Sequence, residues 1–586
     1  MSFMISSCGE EFLYKEPLGS VDPETMQNAT AVNMLITGAY SQLTIGTRYT
    51  DMSANWVYDV LAGAANKGSH AGDQENEYMG WQEHTLTSSN PILSFKYQMV
   101  YRGSKRVETA LQILANVTDM NATLLAAAVT EGIDMKAIRQ GELHFLRALY
   151  YFEGARVFGP YILYLDETNT EADPRMHNDV SIWPKIEHDI NEAIRLLDNY
   201  PRQNNGARGE IGRAYKWAAI ALKVKILMQQ GKNAEAKPLL LDLLANGHTA
   251  WGTPYGLRPD LRDTWSIPAK NSGGESIFDV QYVGERENAG SGWSLAYVDG
   301  GPGGCCGFFH ASFDLANSFQ VDDDGLPFLD NEYRSRPSIA TMTTTTTAEH
   351  DFDIPVDPRL DFNVIRTGLP FKDWGVAPSG RWNRDIGYAG PFKVGKFIYT
   401  DADRLAGQAA SNLHPQGQPG SAMNLPYITV RDMMLRLAEI HVEDNELPQA
   451  MALVNAIRKR AANPTLINNT IATYNIAEYP GGHAAFSNQD VARKAVRMER
   501  KLELALEGGI SWFDYIRWGG DYMSTSIQAA FDYEGRAEHL PRYADYNSFP
   551  PEVTFLPLPQ TQVIRMGQNP ATGQNWLQQR GYWVNR

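Results

Sequence analysis

Residues 498–519 read MERKLELALEGGISWFDYIRWG. Leu502, Ala505, Leu506 and Gly509 recur at helical spacing, which predicts one apolar face. Glu499, Glu503 and Glu507 follow at i, i+4 and i+8 on a neighbouring face, with Arg500 beside them. Three like charges in a row repel, so they demand cationic partners. The stretch therefore predicts a packed helix end held in a satisfied ion network. Gly508–Gly509 should end or kink that helix. Trp512, Phe513, Tyr515 and Trp518 should then pack an aromatic-rich turn around Asp514 and Arg517.

This stretch resembles the signature of the SusD/RagB family, the outer-membrane glycan-binding lipoproteins of Bacteroidetes. The matching positions are Glu499, Arg500, Glu503, Leu504, Ala505, Glu507, Gly508, Asp514, Arg517, Trp518 and Gly519. Ile510–Ser511 departs from it, where the family commonly carries an Arg. Outward from here the likeness continues at Gly141-Glu142, Phe145 to Ala148, Tyr151 and Phe152. It resumes at Glu275 to Phe278, at Phe319 to Pro327 and at Asp357 to Leu360. It continues through Ala438-Glu439, Asn455 and Arg458-Lys459-Arg460 to Leu556 to Pro559 and Gln574 to Tyr582.

Composition narrows the function. The 586 residues carry a formal charge of −16, which argues against nucleic acid or an anionic membrane surface as partner. Hydrophobic content of 43% and charged content of 20% are those of an ordinary globular protein. The 13 Trp, 28 Tyr and 22 Phe are a generous supply of rings on which sugars can stack. Three cysteines make no disulfide framework. Cys305 and Cys306 could form only a strained vicinal bridge, and read instead as small residues of a Gly-rich loop. No run of 18 apolar residues predicts a spanning helix.

At the N-terminus, Ile5-Ser6-Ser7 stands directly before Cys8, a spacing like a lipobox. The apolar run before it is too short for a whole signal peptide, so residues 1–8 read as the remnant of one. The family resemblance implies that Cys8 is lipidated and begins the mature chain. Gly9-Glu10-Glu11 looks like the acidic tag of lipoproteins sent to the outer surface. The expected location is the cell surface of the outer membrane, reached through the lipid anchor.

Periodicity predicts helices at 32–43, 91–114, 135–158, 181–197, 211–231 and 233–246. The last two resemble a tetratricopeptide hairpin, as do the two halves of 430–462. Stacked hairpins of this kind bury their faces on one another. Residues 251–425 differ, being dense in Gly and Pro with short β-like runs such as 277–283. Thr343 to Thr347 reads as an exposed loop or solvent-facing extended segment. The expectation is one compact unit: a SusD-like helical region over 9–250 and a SusD/RagB region over 251–586. The latter carries a loop-rich insertion, 251–425, and a hairpin region, 430–519. The fold class is mainly α, a tetratricopeptide-like scaffold with a large irregular insertion.

No H-E-x-x-H, G-x-S-x-G, Walker loop or C-x-x-C occurs. Asp322-Asp323-Asp324-Gly325 invites calcium, but an EF-hand loop wants an acid where Gln320 stands, so an acidic turn is the better reading. No cofactor is expected. Function should rest on aromatic residues in loops, flanked by groups that fix sugar hydroxyls. The resemblance implies a shallow arc built from the loop after the first helix and from mid-chain loops. Within those loops the candidates are Trp56, Trp81, Trp293, Tyr297, Trp374 and Trp382, with Asn66, Asp73, Asp299 and Arg381 as polar companions. Trp293 follows Gly290-Ser291-Gly292, which would let a ligand approach closely.

The resemblance implies capture of an oligo- or polysaccharide and delivery to a SusC-like, TonB-dependent transporter, without chemistry. Two alternatives stand beside it. One is a surface glycoside hydrolase, which needs paired carboxylates in the aromatic cleft. The other is a tetratricopeptide adaptor that binds protein and no sugar.

Overall fold

The computed structural model describes residues 26–44, 52–123, 132–166, 176–197, 212–267, 273–283, 298–304, 306–379, 382–410, 420–463 and 470–584. Apolar periodicity sets its helices. The first, Ala29–Ser41, is capped by the Asn28 side chain, which accepts from the Ala31 N–H. Pro91–Asn116 starts with proline at its first turn, and the Asn90 side chain caps it. Met135–Phe158 is buried almost all round and packs between Pro91–Asn116 and Trp183–Leu197. The hairpins form as the periodicity implies: Lys216–Gln229 with Asn233–Asn246, and Val430–Glu443 with Leu447–Ala461. The second hairpin stacks on the first, and Lys237 bridges to Asp444 and Glu446, at 2.7 Å each.

The 251–425 stretch is less irregular than expected. A four-stranded antiparallel sheet runs through it in the order Ala65–Gly68, Phe308–Ala311, Lys393–Val394, Val364–Ile365. Asn66 pairs with His310 and His310 with Lys393, so one strand from the N-terminal third is stitched to three from mid-chain. A second pairing, Leu425–Thr429 with Ser276–Val280, leads straight into the Val430–Glu443 helix. Thr343 to Thr347 forms the tip of an exposed hairpin between Ala340–Thr344 and Thr347–His350.

The signature stretch differs in its ends. Its helix is Gln489–Glu503, stopping short of the glycines, and a turn with Leu506 at φ +62° follows. Gly509, at φ +83°, then caps Ile510–Trp518. The early stop has an electrostatic reason. Released from the helix, Glu507 reaches Lys396 and Arg431, at 2.7 and 2.8 Å. Glu499 takes Arg359 and Arg458, and Glu503 takes Arg359 and Arg460. Arg359 also grips Asp357, while Arg431 and Arg460 share Glu275. Five carboxylates and five cations, all buried, therefore balance. Leaving any one unpaired would strand a charge away from water.

A second knot lies beside it. Arg500 bonds Asp514 and Asp432, and Arg517 bonds Glu439 and Asp514. Arg436 and Arg500 outweigh burial at Asp432, and Arg500 and Arg517 outweigh it at Asp514, so both carboxyls are held below their ordinary range. Among the described residues no helix is long and apolar enough to cross a membrane.

Candidate functional site

The sheet decides where the loops meet. Antiparallel pairing of Gly68 with Phe308 sets residue 69 beside Gly307, and the Ser69 N–H donates to the Gly307 carbonyl at 2.6 Å. Lys67 fixes the loop that follows. Its ammonium donates to the carbonyls of His70 at 2.7 Å and Asp73 at 2.6 Å, and lies over the Phe308 and Tyr388 rings. Burial pushes the Lys67 amine down to about 8.

Three loops converge on this edge. Arg384 donates to the Asp73 carboxylate at 2.7 Å, across 311 positions of sequence. Asp299 and Arg384 both lie against the open face of Gly307. Asp299, half-buried, has no hydrogen bond among the described residues, so its carboxylate is free to accept. The Trp382 indole lies flat on Gly301, where any Cβ would come within 2.3 Å of the ring. Phe371 meets Trp382 edge-on at 6.3 Å.

Beyond it, Trp374 is half-buried, its indole N–H donating to the Tyr399 carbonyl at 2.9 Å, and Arg404 lies over the ring. Val376, two residues on, and Leu405, next to Arg404, are 59% and 73% exposed. A cleft of about 400 Å³ opens alongside, lined among others by Phe371, Lys372, Asp373, Thr400 and Asp403. These contacts trace an arc from Asp73 and Arg384 past Trp382 and Phe371 to Trp374.

Backbone strain concentrates here. Of the ten non-glycine residues with left-handed backbone among the described residues, Ser69, Gln74, Cys306, Lys372 and Trp382 lie in these loops. Each costs about 1–3 kcal/mol, and such strain gathers where geometry serves binding rather than stability.

The expected residues divide. Asp73, Asp299, Trp374 and Trp382 come together, although Trp382 keeps only 8% of its surface exposed. Trp56 and Trp81 are corrected: both are fully buried. Trp56 stacks on Tyr78 at 4.9 Å and Trp81 meets Tyr58 edge-on, its N–H bonded to Asn90. Each sits on a short helix whose apolar side faces the core, so neither can take a ligand. Asn66 is corrected too, since its amide donates to the Ala389 carbonyl and accepts from Gly68 inside the sheet. Trp293, Tyr297, Arg381 and Cys8 lie outside the described residues.

Cys306 also departs from the sequence reading, because it is disulfide-bonded. In the acidic turn, one Asp322 oxygen accepts from the N–H groups of Asp324 and Leu326. Among the described residues no three metal-capable side chains cluster.

Comparison with known proteins settles the family. The sequence profile of the SusD family matches residues 274–577. The chain belongs to the SusD family. Among its SusD-like relatives, one from Formosa agariphila is 23% identical over 528 residues, 88% of each chain. A SusD-like protein from Bacteroides fragilis has the same fold, with a TM-score of 0.65 at 18% identity, covering 96% of this chain and 98% of that one. A laminarin binding SusD-like protein gives 0.61 at 20% identity, covering 94% and 99%. Surface glycan-binding protein A from Bacteroides thetaiotaomicron, in complex with laminarihexaose, gives 0.60 at 16% identity, covering 92% and 98%.

Sequence reading of this SusD family member missed Lys67, Ser69, Arg384 and Arg404. Lys67, Ser69 and Arg384 depend on a partner hundreds of positions away or on backbone carbonyls, and Arg404 on a ring in another loop, none of which leaves a local pattern. The run of glycines before Phe308 was the one available signal, since close loop approach needs them.

Proposed function

We propose that this SusD family protein captures an oligo- or polysaccharide on the arc between Asp73 and Trp374 and performs no chemistry on it. Convergence of three strained loops onto one aromatic and carboxylate surface carries this reading. A sugar ring packs its C–H face on Trp374, and Asp299, Asp73 and Arg384 hold hydroxyl groups at the far end. Two structural neighbours bind laminarin or laminarihexaose, which makes a β-glucan the first ligand to try. Anchored through Cys8 at the outer surface, the protein passes its ligand to a SusC-like, TonB-dependent transporter. The arc offers aromatic faces and hydroxyl partners, which favours sugar over a protein-only adaptor.

Calorimetry of the soluble form lacking Cys8 against a polysaccharide panel, with product analysis on the same samples, tests this. The reading expects binding without new reducing ends. Sugar release would replace it with hydrolysis, and silence across the panel would remove the glycan from it.

A further inference from the structure

A second cleft, of about 380 Å³, opens on the signature helices and shares no residue with the arc. The Gln489–Glu503 helix lines it with Arg493, Lys494, Arg497 and Lys501. Opposite stand Trp518 and Tyr522 of the next two helices, with Ile510 and Ser511. Arg493, Arg497 and Lys501 follow at i, i+4 and i+8, a spacing at which like charges repel.

Nearly every charge here is already matched. Arg493 pairs with Glu443 and Asp490, and Lys494 with Asp330. Lys501 and Arg334 share Asp314. Asp514 and Glu439 are taken by Arg500 and Arg517. Arg497 alone in the row has no carboxylate at ion-pair distance among the described residues, with Glu439 and Glu443 acting on it from farther off. Its guanidinium carbon lies over the Trp518 ring at 4.7 Å and the Tyr522 ring at 4.3 Å. One of its N–H groups is engaged by the Tyr522 side chain, and the rest of the fork is left for a planar, two-oxygen acceptor. Ile510–Ser511 adds no charge of its own at the cleft wall. The cleft is thus a cationic spot in a chain of net charge −16.

We propose that this cleft binds the carboxylate of an acidic sugar residue through Arg497, as a second glycan site beside the arc. The proposal rests on the reading of the protein as a glycan binder. The carboxylate takes the two in-plane N–H groups of Arg497, and Ser511 stands within the cleft for a hydroxyl. Selection is for a planar carboxylate on a ring, not for negative charge at large.

Titration of the soluble chain with a galacturonate trimer, laminarihexaose and sodium sulfate tests it. Arg497→Gln should weaken the trimer by at least about tenfold, and Arg497→Lys should do nearly as badly, since lysine keeps the charge without the fork. Both variants should hold the native melting temperature and bind the neutral hexaose as the native chain does. Trp374→Ala should show the reverse pattern, which keeps failure of this site distinct from failure of the arc. Three results would overturn the proposal: no trimer binding by the native chain, unchanged trimer affinity in Arg497→Gln, or displacement of the trimer by equimolar sulfate.

Discussion

Arg359 donates to Glu499 at 2.6 Å with neither side chain exposed to water, although 140 positions separate them. The same guanidinium holds Glu503 and Asp357. Removing it leaves three buried carboxylates short of a partner. Arg359→Met should therefore cost about 3–5 kcal/mol, read as a lower urea midpoint. A change below about 1 kcal/mol would mean that the network contributes packing and no electrostatic closure.

The exposed pair behaves differently. Arg384 and Asp73 keep 38% and 23% of their side chains in solvent. Asp73→Ala should cost at most about 1 kcal/mol of stability. It should nevertheless weaken glycan binding measurably by calorimetry, because it loosens the loop at one end of the arc.

Tryptophans separate along the same line. Trp56→Ala opens a cavity in the core and should cost about 3–5 kcal/mol. Trp374→Ala should leave the melting temperature nearly unchanged and lower glycan affinity by about tenfold, or about 1.4 kcal/mol. Thermal melts and calorimetry on the two variants give both readouts.

Glu534 supplies a pH test. It is buried where the Phe313 N–H donates to it, and burial pushes its carboxyl up to about 8 from an ordinary 4.5. Between those values the folded chain keeps a proton that the unfolded chain releases. Stability contributed by this group therefore falls as pH rises from 4.5 to 8. Glu534→Gln keeps an acceptor for Phe313 and should flatten that fall. Urea midpoints of the two proteins from pH 5 to pH 8 check it, and parallel profiles would reject the assignment.

Gly509 ties the signature to the N-terminal third. Its φ is +83°, and a Cβ there would lie 2.1 Å from that of Tyr58. Gly509→Ala should cost at least about 2 kcal/mol, through left-handed strain and overlap together, seen as a lower melting temperature.

How far the sequence reached depends on the range of each interaction. Helices such as Met135–Phe158 were legible because apolar period and a stop at Gly159 are local. The row Glu499, Glu503 and Glu507 announced that cations must exist, and the motif residues Arg359, Arg458 and Arg460 supply them for the first two, with Lys396 and Arg431 for the third. Where the signature helix ends was not legible. Local pattern carries Glu507 onto the helix, whereas the buried Lys396 and Arg431 draw it off.

The site was legible only in kind. Short runs such as Lys393–Val394 carry no strand signal, and only their pairing with Phe308–Ala311 brings Asp73 to Arg384. Burial then chose among the tryptophans, since Trp56 and Trp374 look alike in sequence until a core exists to cover one of them. The sequence alone determined the family, the helical scaffold and the demand for buried counter-charges, because those rest on spacing and charge along the chain. Tertiary structure alone decided which aromatics face solvent and which loops meet, because those depend on contacts between segments far apart.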